Sequence, residues 1–232
     1  MSLLELEHVG KCYGPLSEHL VLRDVSLRIE QGEMVCVWGR RRSGRSTLLR
    51  LAAGIEHPDA GVVRFDGQDL SAREGERLGD GIGYCRKTFV ASEGRRVLDH
   101  MVVGLLARGV PLKLAASRAR EALERTGIGR CATSRPEELD CGEAVRAAIA
   151  RALSFAPRLL LIDEPTIGVD LLERDGILRL LLSLSEQGIA VLASTGESQG
   201  LSGARALALS DGELRGRHSP ELAAVVPIRK SA

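Results

Sequence analysis

Trp38-Gly39-Arg40-Arg41-Arg42-Ser43-Gly44-Arg45-Ser46-Thr47 is the stretch on which the fold turns. It follows an apolar run at residues 34–37 and opens a run of helix formers at residues 48–53. Strand, glycine loop and helix is the setting in which Gly-x-x-x-x-Gly-Lys-Ser/Thr cradles phosphate groups. Backbone N–H groups of the loop and of the helix N-terminus converge on the anion, and the helix dipole favours its charge. Where the pattern requires lysine, the chain has Arg45. An arginine-rich glycine turn is also what a solvated surface loop looks like, so the loop needs support from the rest of the chain.

Working outward, residues 3–9 alternate apolar and polar side chains as a half-buried strand does, and residues 21–29 do the same. Gln31-Gly32 turns the chain into a third strand at residues 33–38, so the chain is expected to open as an antiparallel arrangement. Tyr13, between the first two strands, serves either packing or the stacking of a purine. Downstream, residues 62–65 and 82–85 read as short strands, the first closed by the turn Asp66-Gly67. Residues 97–108, 112–126 and 141–155 are helical in pattern, with Pro111 and Gly127 as punctuation. Residues 88–155 therefore read as a helical insertion in a mixed sheet.

The continuous apolar run at residues 159–162 ends in Asp163-Glu164-Pro165, the pattern of a buried parallel strand with carboxylates at its C-terminal end. A helix at 171–185 and strands at 189–194 and 206–210 follow, and the tail at 215–232 has little periodicity. The expected division is an α/β core with a β subdomain at 1–87 and 156–214, a helical subdomain at 88–155, and a weakly structured tail.

Length and composition suit this: 232 residues, 44% of them hydrophobic, make one good-sized α/β domain. A net charge of +1 gives no reason to expect a nucleic-acid partner. The 5 cysteines are odd in number and form no C-x-x-C pair, and they read as reduced thiols rather than a disulfide frame or zinc site. No apolar run approaches the roughly 18 residues needed to cross a bilayer. Residues 1–5 do not read as a signal peptide. The expectation is a cytoplasmic chain that reaches a membrane only through a partner.

The phosphate loop and the Asp163-Glu164-Pro165 strand end stand among further motifs in a fixed order, and together they resemble the ATPase subunits of ABC transporters over nearly the whole chain. Lys11-Cys12-Tyr13-Gly14 resembles the loop whose aromatic ring stacks on adenine. Ile82-Gly83-Tyr84-Cys85-Arg86-Lys87 resembles the strand leading to the Q-loop. Arg135-Pro136-Glu137-Glu138-Leu139-Asp140-Cys141-Gly142-Glu143 lies where the family writes R-P-x-E-L-S-G-G-E. Thr166 to Asp170 resembles the D-loop, and Ser194-Thr195-Gly196 the switch Thr-His. The arginine–proline before the signature and residues 104–111 look most like the lipoprotein-release and macrolide-efflux branch.

The resemblance implies a P-loop NTPase core with an antiparallel β subdomain and a helical insertion that meets a membrane permease. It also implies a head-to-tail dimer, each ATP lying between one subunit's phosphate loop and the other's signature. Tyr13, Gly39, Arg42, Ser43, Gly44, Arg45, Ser46, Thr47 and Lys87 would surround the nucleotide. Asp140 and Gly142 would face the partner subunit's nucleotide, Ser46 and Asp163 would hold Mg²⁺, and Glu164 would be the catalytic carboxylate.

Several of these positions depart from the family pattern. Arg45 keeps the charge of the lysine that reaches the β- and γ-phosphates, but a planar guanidinium on a longer arm does not replace a compact ammonium. Arg42 adds a Cβ at a usual glycine position. Lys87 puts a cation where a neutral glutamine ligates the metal. Gly196 removes a histidine that contacts the γ-phosphate, and loss of one such donor lowers kcat by roughly 10²–10³. Asp140 replaces a serine that donates to phosphate, and an ionised carboxylate only accepts. A carboxylate about 4–5 Å from one phosphate charge costs about 3–4 kcal/mol at an effective dielectric near 20. Three readings compete: a degenerate transporter ATPase subunit with weak ATP binding beside an intact second ATPase subunit, a working ATPase with compensating substitutions, and a soluble ABC protein without a permease.

Overall fold

The computed structural model describes residues 2–14, 19–71, 81–85, 94–196 and 203–216. Two sheets organise them. In the first, β1 (Ser2–Tyr13) pairs antiparallel with β2 (His19–Glu30) and with β4 (Ala60–Phe65), and the two-residue β5 (Gln68–Asp69) closes the order β2-β1-β4-β5. In the second, β6 (Ile82–Cys85), β7 (Leu159–Ile162), β8 (Ala190–Thr195), β3 (Met34–Trp38) and β9 (Arg205–Ser210) run parallel. The antiparallel β10 (Glu213–Gly216) lies on its edge, giving the order β10-β9-β3-β8-β7-β6.

The parallel strands carry continuous apolar runs because both faces of their sheet are buried. Along β7, Leu159 and Leu161 join the core toward the antiparallel sheet and α1 (Arg45–Ala52), while Leu160 and Ile162 join the core toward the helices. Val35 and Val37 against Met34 and Cys36 repeat this alternation on β3. The helical side is built from α2 (Val97–Leu106), α3 (Leu112–Arg125), α4 (Cys141–Leu153) and α5 (Leu171–Glu186). Small residues let the helices approach: Ala115, Ala119 and Ala122 of α3 and Ala147, Ala148 and Ala150 of α4 are all buried.

Parallel register aligns the strand ends. Trp38 pairs with Thr195 and Val37 with Ser194, Ala193 pairs with Ile162, and Ile162 with Cys85. The segments that leave these strands (the glycine loop, Asp163-Glu164 and Gly196) therefore emerge along one edge, where ligands bind in open α/β sheets.

Two expectations change. The strand ending at Trp38 does not continue the antiparallel ribbon, because β3 crosses into the parallel sheet between β8 and β9, and β1 takes β4 as its second neighbour. The final strand reaches Gly216, two residues into the expected tail, and residues 217–232 lie outside the described residues. Two short 3₁₀ turns, Gly129–Thr133 and Pro136–Glu138, connect α3 to α4. No disulfide joins any of the five cysteines, and burial pushes the Cys85 thiol up to about 12.

Leu161 is fully buried whereas Leu172 at the start of α5 is 85% exposed. Leu161→Ala is expected to lower unfolding stability by about 2–5 kcal/mol through cavity formation. Leu172→Ala should stay within about 0.5 kcal/mol of wild type. Urea denaturation of both variants checks this.

Candidate nucleotide-binding site

The loop between β3 and α1 follows the path its glycines dictate. Gly39 donates its N–H to Thr195 O at 3.2 Å, and an added Cβ would collide with Leu209 O and with Ser43 Oγ. Gly44 caps α1 at φ 99°, with Leu22 and Val21 packed so closely that a Cβ would meet them at 2.9–3.0 Å. Arg42 holds φ 68°, so the loop keeps a left-handed residue at this usual glycine position at the expense of local strain. A cleft of about 1000 Å³ opens here, lined by residues 38–47, the start of β2 (His19, Leu20, Val21, Arg23), the β9–β10 turn and Glu164.

Two linked contacts join the loop helix to the ends of β7 and β8. Arg45 is 6% exposed, and its Nη2 donates to Glu164 Oε1 at 2.8 Å. Its Nη1 is buried with no hydrogen-bond partner among the described residues, as is Ser43 Oγ. Beside this pair, Ser46 Oγ donates to Asp163 Oδ2 at 2.8 Å and Ser194 Oγ donates to Asp163 Oδ1 at 2.7 Å. Ser194 Oγ also accepts the backbone N–H of Glu164 at 3.0 Å. Both Asp163 oxygens are thus held, and Glu164 takes φ 51° at the strand end. Ser46 Oγ and Asp163 Oδ2 are hard oxygen donors of the kind Mg²⁺ takes together with substrate phosphates and water. These residues fit the ion.

Thr47 is buried behind the loop. Tyr13, the closing residue of β1, sends its hydroxyl to Glu56, with Thr47 Oγ1 3.4 Å away and Arg50 Nη2 donating to it at 3.3 Å. Lys11 Nζ lies 5.5 Å from its ring centroid. Tyr13 does not itself line the cleft, but its hydroxyl reaches Thr47, which does. Gly196 follows β8, and a Cβ there would meet Arg45 Nη2 and Nη1 at 3.8 and 3.9 Å. Lys87 lies outside the described residues.

Asp140 and Gly142 belong to α4, away from the cleft. Asp140 is the N-cap: its Oδ1 accepts from Glu143 N at 2.7 Å, and Glu143 Oε2 accepts from Asp140 N at 3.1 Å, a reciprocal capping box. Arg130 Nη2 donates to Glu143 Oε1 at 2.7 Å. That bond and the Asp140 N–H hold the Glu143 carboxyl below the usual carboxylate range. Gly142 is packed under Glu173 of α5, which a Cβ would meet at 3.0 Å, and Arg146 Nε reaches the same carboxylate at 3.2 Å.

The structure brings Arg45, Ser46, Asp163 and Glu164 together, and adds Ser194, quoted in the switch motif but given no role of its own, and Arg50 and Glu56. Ser194 carried a signal, as a serine closing an otherwise apolar strand. Arg50 and Glu56 carried none, being charged residues on and after an amphipathic helix.

A glycine loop feeding a helix, with a serine–aspartate pair and a glutamate at the adjacent strand end, defines a phosphate-loop nucleotide-binding domain. A profile of the family described as ABC transporter matches residues 22–167. The chain is 35% identical over 219 residues to the cell division ATP-binding protein FtsE of Escherichia coli (strain K12), covering 92% of this chain and 98% of that protein. It is 36% identical over 221 residues to the lipoprotein-releasing system ATP-binding protein LolD of Myxococcus xanthus (strain DK1622), covering 92% and 99%. Among solved structures it is similar to the ATP-binding cassette MJ0796 in a dimeric post-hydrolysis state bound to ADP and Pi. The TM-score is 0.81 at 28% identity, over 91% of this chain and 96% of that one. The chain belongs to the ABC transporter family, as an ATP-binding cassette.

Asp140→Ala is expected to destabilise the protein by about 1 kcal/mol through loss of the cap, and Asp140→Ser by less. Denaturant midpoints of the two variants check this. Because the folded Glu143 carboxyl titrates below its ordinary value, its contribution is present at neutral pH and is lost as pH falls through the lowered folded value. The stability gap between wild type and Arg130→Ala should therefore be full at pH 7 and close on acidification, as followed by thermal melts across pH.

Proposed function

We propose that the chain is the ATP-binding subunit of a membrane ABC transporter in which hydrolysis at its own site has been lost or nearly so. It holds nucleotide weakly, pairs with a second, intact ATPase subunit and docks a permease at the cytoplasmic face of the membrane. The observation that carries this reading is the buried Arg45–Glu164 ion pair. The cation that would clamp the terminal phosphates and the carboxylate that would polarise attacking water are bound to each other. A general base must lie within hydrogen-bond reach of the proton it removes, and Glu164 is engaged elsewhere.

Nucleotide phosphates would be received by the backbone N–H groups of residues 39–47 at the α1 N-terminus, with the buried donors of Ser43 and Arg45 turned to them. Ser46 and Asp163 would hold Mg²⁺, which supplies charge neutralisation between the β- and γ-phosphates. Glu164 would have to leave Arg45 before serving as a base, and no histidine stands at position 196 to place the γ-phosphate. A bound phosphate thus shares its cation with an internal carboxylate, which supports weak rather than tight affinity.

Exposed apolar side chains support the two partners. Val103 and Leu106 of α2 and Leu112 and Leu114 of α3 are 41–63% exposed, a patch suited to a permease. Ile167, Leu171 and Leu172 leave a second apolar surface beside the N-terminus of α5, suited to another ATPase subunit. The ABC transporter family match and a relative named as the ATP-binding protein of a lipoprotein-releasing system support the transporter context.

ATP turnover by the purified subunit should be indistinguishable from that of a Glu164→Gln variant prepared in parallel. Turnover present in wild type and lost in the variant would establish the working-ATPase reading instead. In the assembled transporter, removing the partner ATPase subunit's catalytic glutamate should abolish transport, while Glu164→Gln should leave it nearly unchanged. Leu106→Asp with Leu112→Asp should prevent co-purification with the permease without shifting the melting temperature of the free subunit.

A further inference from the structure

We infer that Arg45 and Gly196 are one paired replacement rather than two independent losses. The guanidinium of Arg45 fills the space beyond β8 that a side chain at 196 would enter, and from there its free Nη1 is the donor for the terminal phosphate of a bound nucleotide. This rests on the nucleotide-binding reading of the cleft.

The geometry is specific. A Cβ at residue 196 would stand 3.8 Å from Nη2 and 3.9 Å from Nη1, in ordinary van der Waals contact with both ends of the guanidinium fork. That leaves room for a methyl group, and a larger side chain must then share the space beside the guanidinium. The fork cannot retreat freely, because Nη2 is fixed to Glu164 Oε1 at 2.8 Å and the side chain is only 7% exposed. Glu164 is itself held by its backbone bond to Ser194, two residues before Gly196 on β8. Arg45 thus reaches from the N-terminus of α1 across the end of β7 to the end of β8.

Chemistry adds the second half. A buried guanidinium carries five N–H donors and no acceptor, so a buried Nη1 left without a partner is costly. Arg45 and Ser43 both line the cleft, and Arg45 Nη1 and Ser43 Oγ are each buried without a partner among the described residues. A small turn of either side chain toward the cleft would let an incoming anion satisfy both. A lysine at 45 presents a compact ammonium on a shorter arm and leaves the space at 196 open. A histidine at 196 fills that space and contributes a donor of its own. Either combination places one cation and one filled volume at the strand end. A mixture of the two either crowds the site or empties it.

A double-mutant cycle tests this, with thermal melts of the nucleotide-free protein and calorimetric titration with ADP and with a non-hydrolysable β,γ-imido ATP analogue. Gly196→Ala should be silent in both backgrounds. Gly196→His should lower Tm in the wild-type background and do so by at least about 2 °C less in the Arg45→Lys background, a coupling outside the additivity of independent sites. Arg45→Lys alone should reduce the preference for the triphosphate analogue over ADP by about tenfold, the worth of one charge-assisted hydrogen bond. Arg45→Lys combined with Gly196→His should recover it. If Gly196→His yields no folded protein, Gly196→Ser carries the same cycle. Additive Tm shifts overturn the pairing whatever the nucleotide data show. A wild-type protein that binds neither nucleotide overturns the phosphate-donor role and the functional reading beneath it, and leaves the pairing to be decided by the Tm cycle.

Discussion

A buried guanidinium and a carboxylate only 13% exposed, 2.8 Å apart, close the phosphate-loop edge of this sheet. Arg45 sits at the positive end of α1, where the helix dipole opposes a cation. Glu164 sits at a strand end in a left-handed backbone conformation. Neither group is comfortable alone. Removal of one member of such a pair leaves an uncompensated buried charge and typically costs about 3–5 kcal/mol, although a well-packed apolar pair often serves stability as well. The pair therefore makes the loop self-sufficient without an anion, and any incoming phosphate must share the cation with Glu164.

The serine–aspartate–serine contacts beside it have the opposite character. Ser46, Asp163 and Ser194 satisfy one another with neutral-to-charged hydrogen bonds at 2.7–2.8 Å and keep the loop helix, β7 and β8 in register. Under the proposed reading the scaffold of the site is retained while the groups that would act on a terminal phosphate are redirected. The same division holds at the signature helix. Asp140 is a good N-cap and closes a capping box with Glu143, so the residue that meets the local demand of α4 is one that cannot donate a hydrogen bond to a phosphate. Serine would meet both demands. Under the proposed reading, aspartate here preserves the helix cap and offers phosphate no donor.

Most of the sheet was legible because burial on both faces forces continuous apolar strands, and residues 82–85 and 159–162 ended where their apolar runs ended. The destination of the third strand was not legible. Alternation shows that residues 34–38 form a strand, but its neighbours β8 and β9 lie more than 150 residues downstream, and pairing at that range leaves no local mark. The candidate site divides likewise. The family resemblance pointed to Ser46, Asp163 and Glu164, whose side chains the structure places around the ends of α1, β7 and β8. That Arg45 would turn to Glu164, 119 residues away, depended on the reach of one side chain across two strand ends. Tyr13 was open in the sequence to packing or to stacking on a base, and the structure adds that its hydroxyl is held by Glu56 and Arg50.

Under the proposed reading the defects are not equivalent in their consequences. Those at the loop and strand ends lie within one chain and act on nucleotide bound to it. The defect at Asp140 acts on nucleotide bound to whatever subunit faces α4. Two copies of this chain would superimpose both kinds in each site, opposing a bound γ-phosphate with Asp140 while Glu164 is held by Arg45. An intact partner separates them. Its own loop, glutamate and histidine would meet the Asp140 signature, and Asp140 already has its carboxylate committed to the backbone of its own helix, with the Glu143–Arg130 pair beside it. The charge that most disfavours phosphate across the interface is thus partly occupied before any nucleotide arrives. That makes the composite site on the partner's loop the less impaired of the two, and the one where an asymmetric pair would keep its hydrolysis.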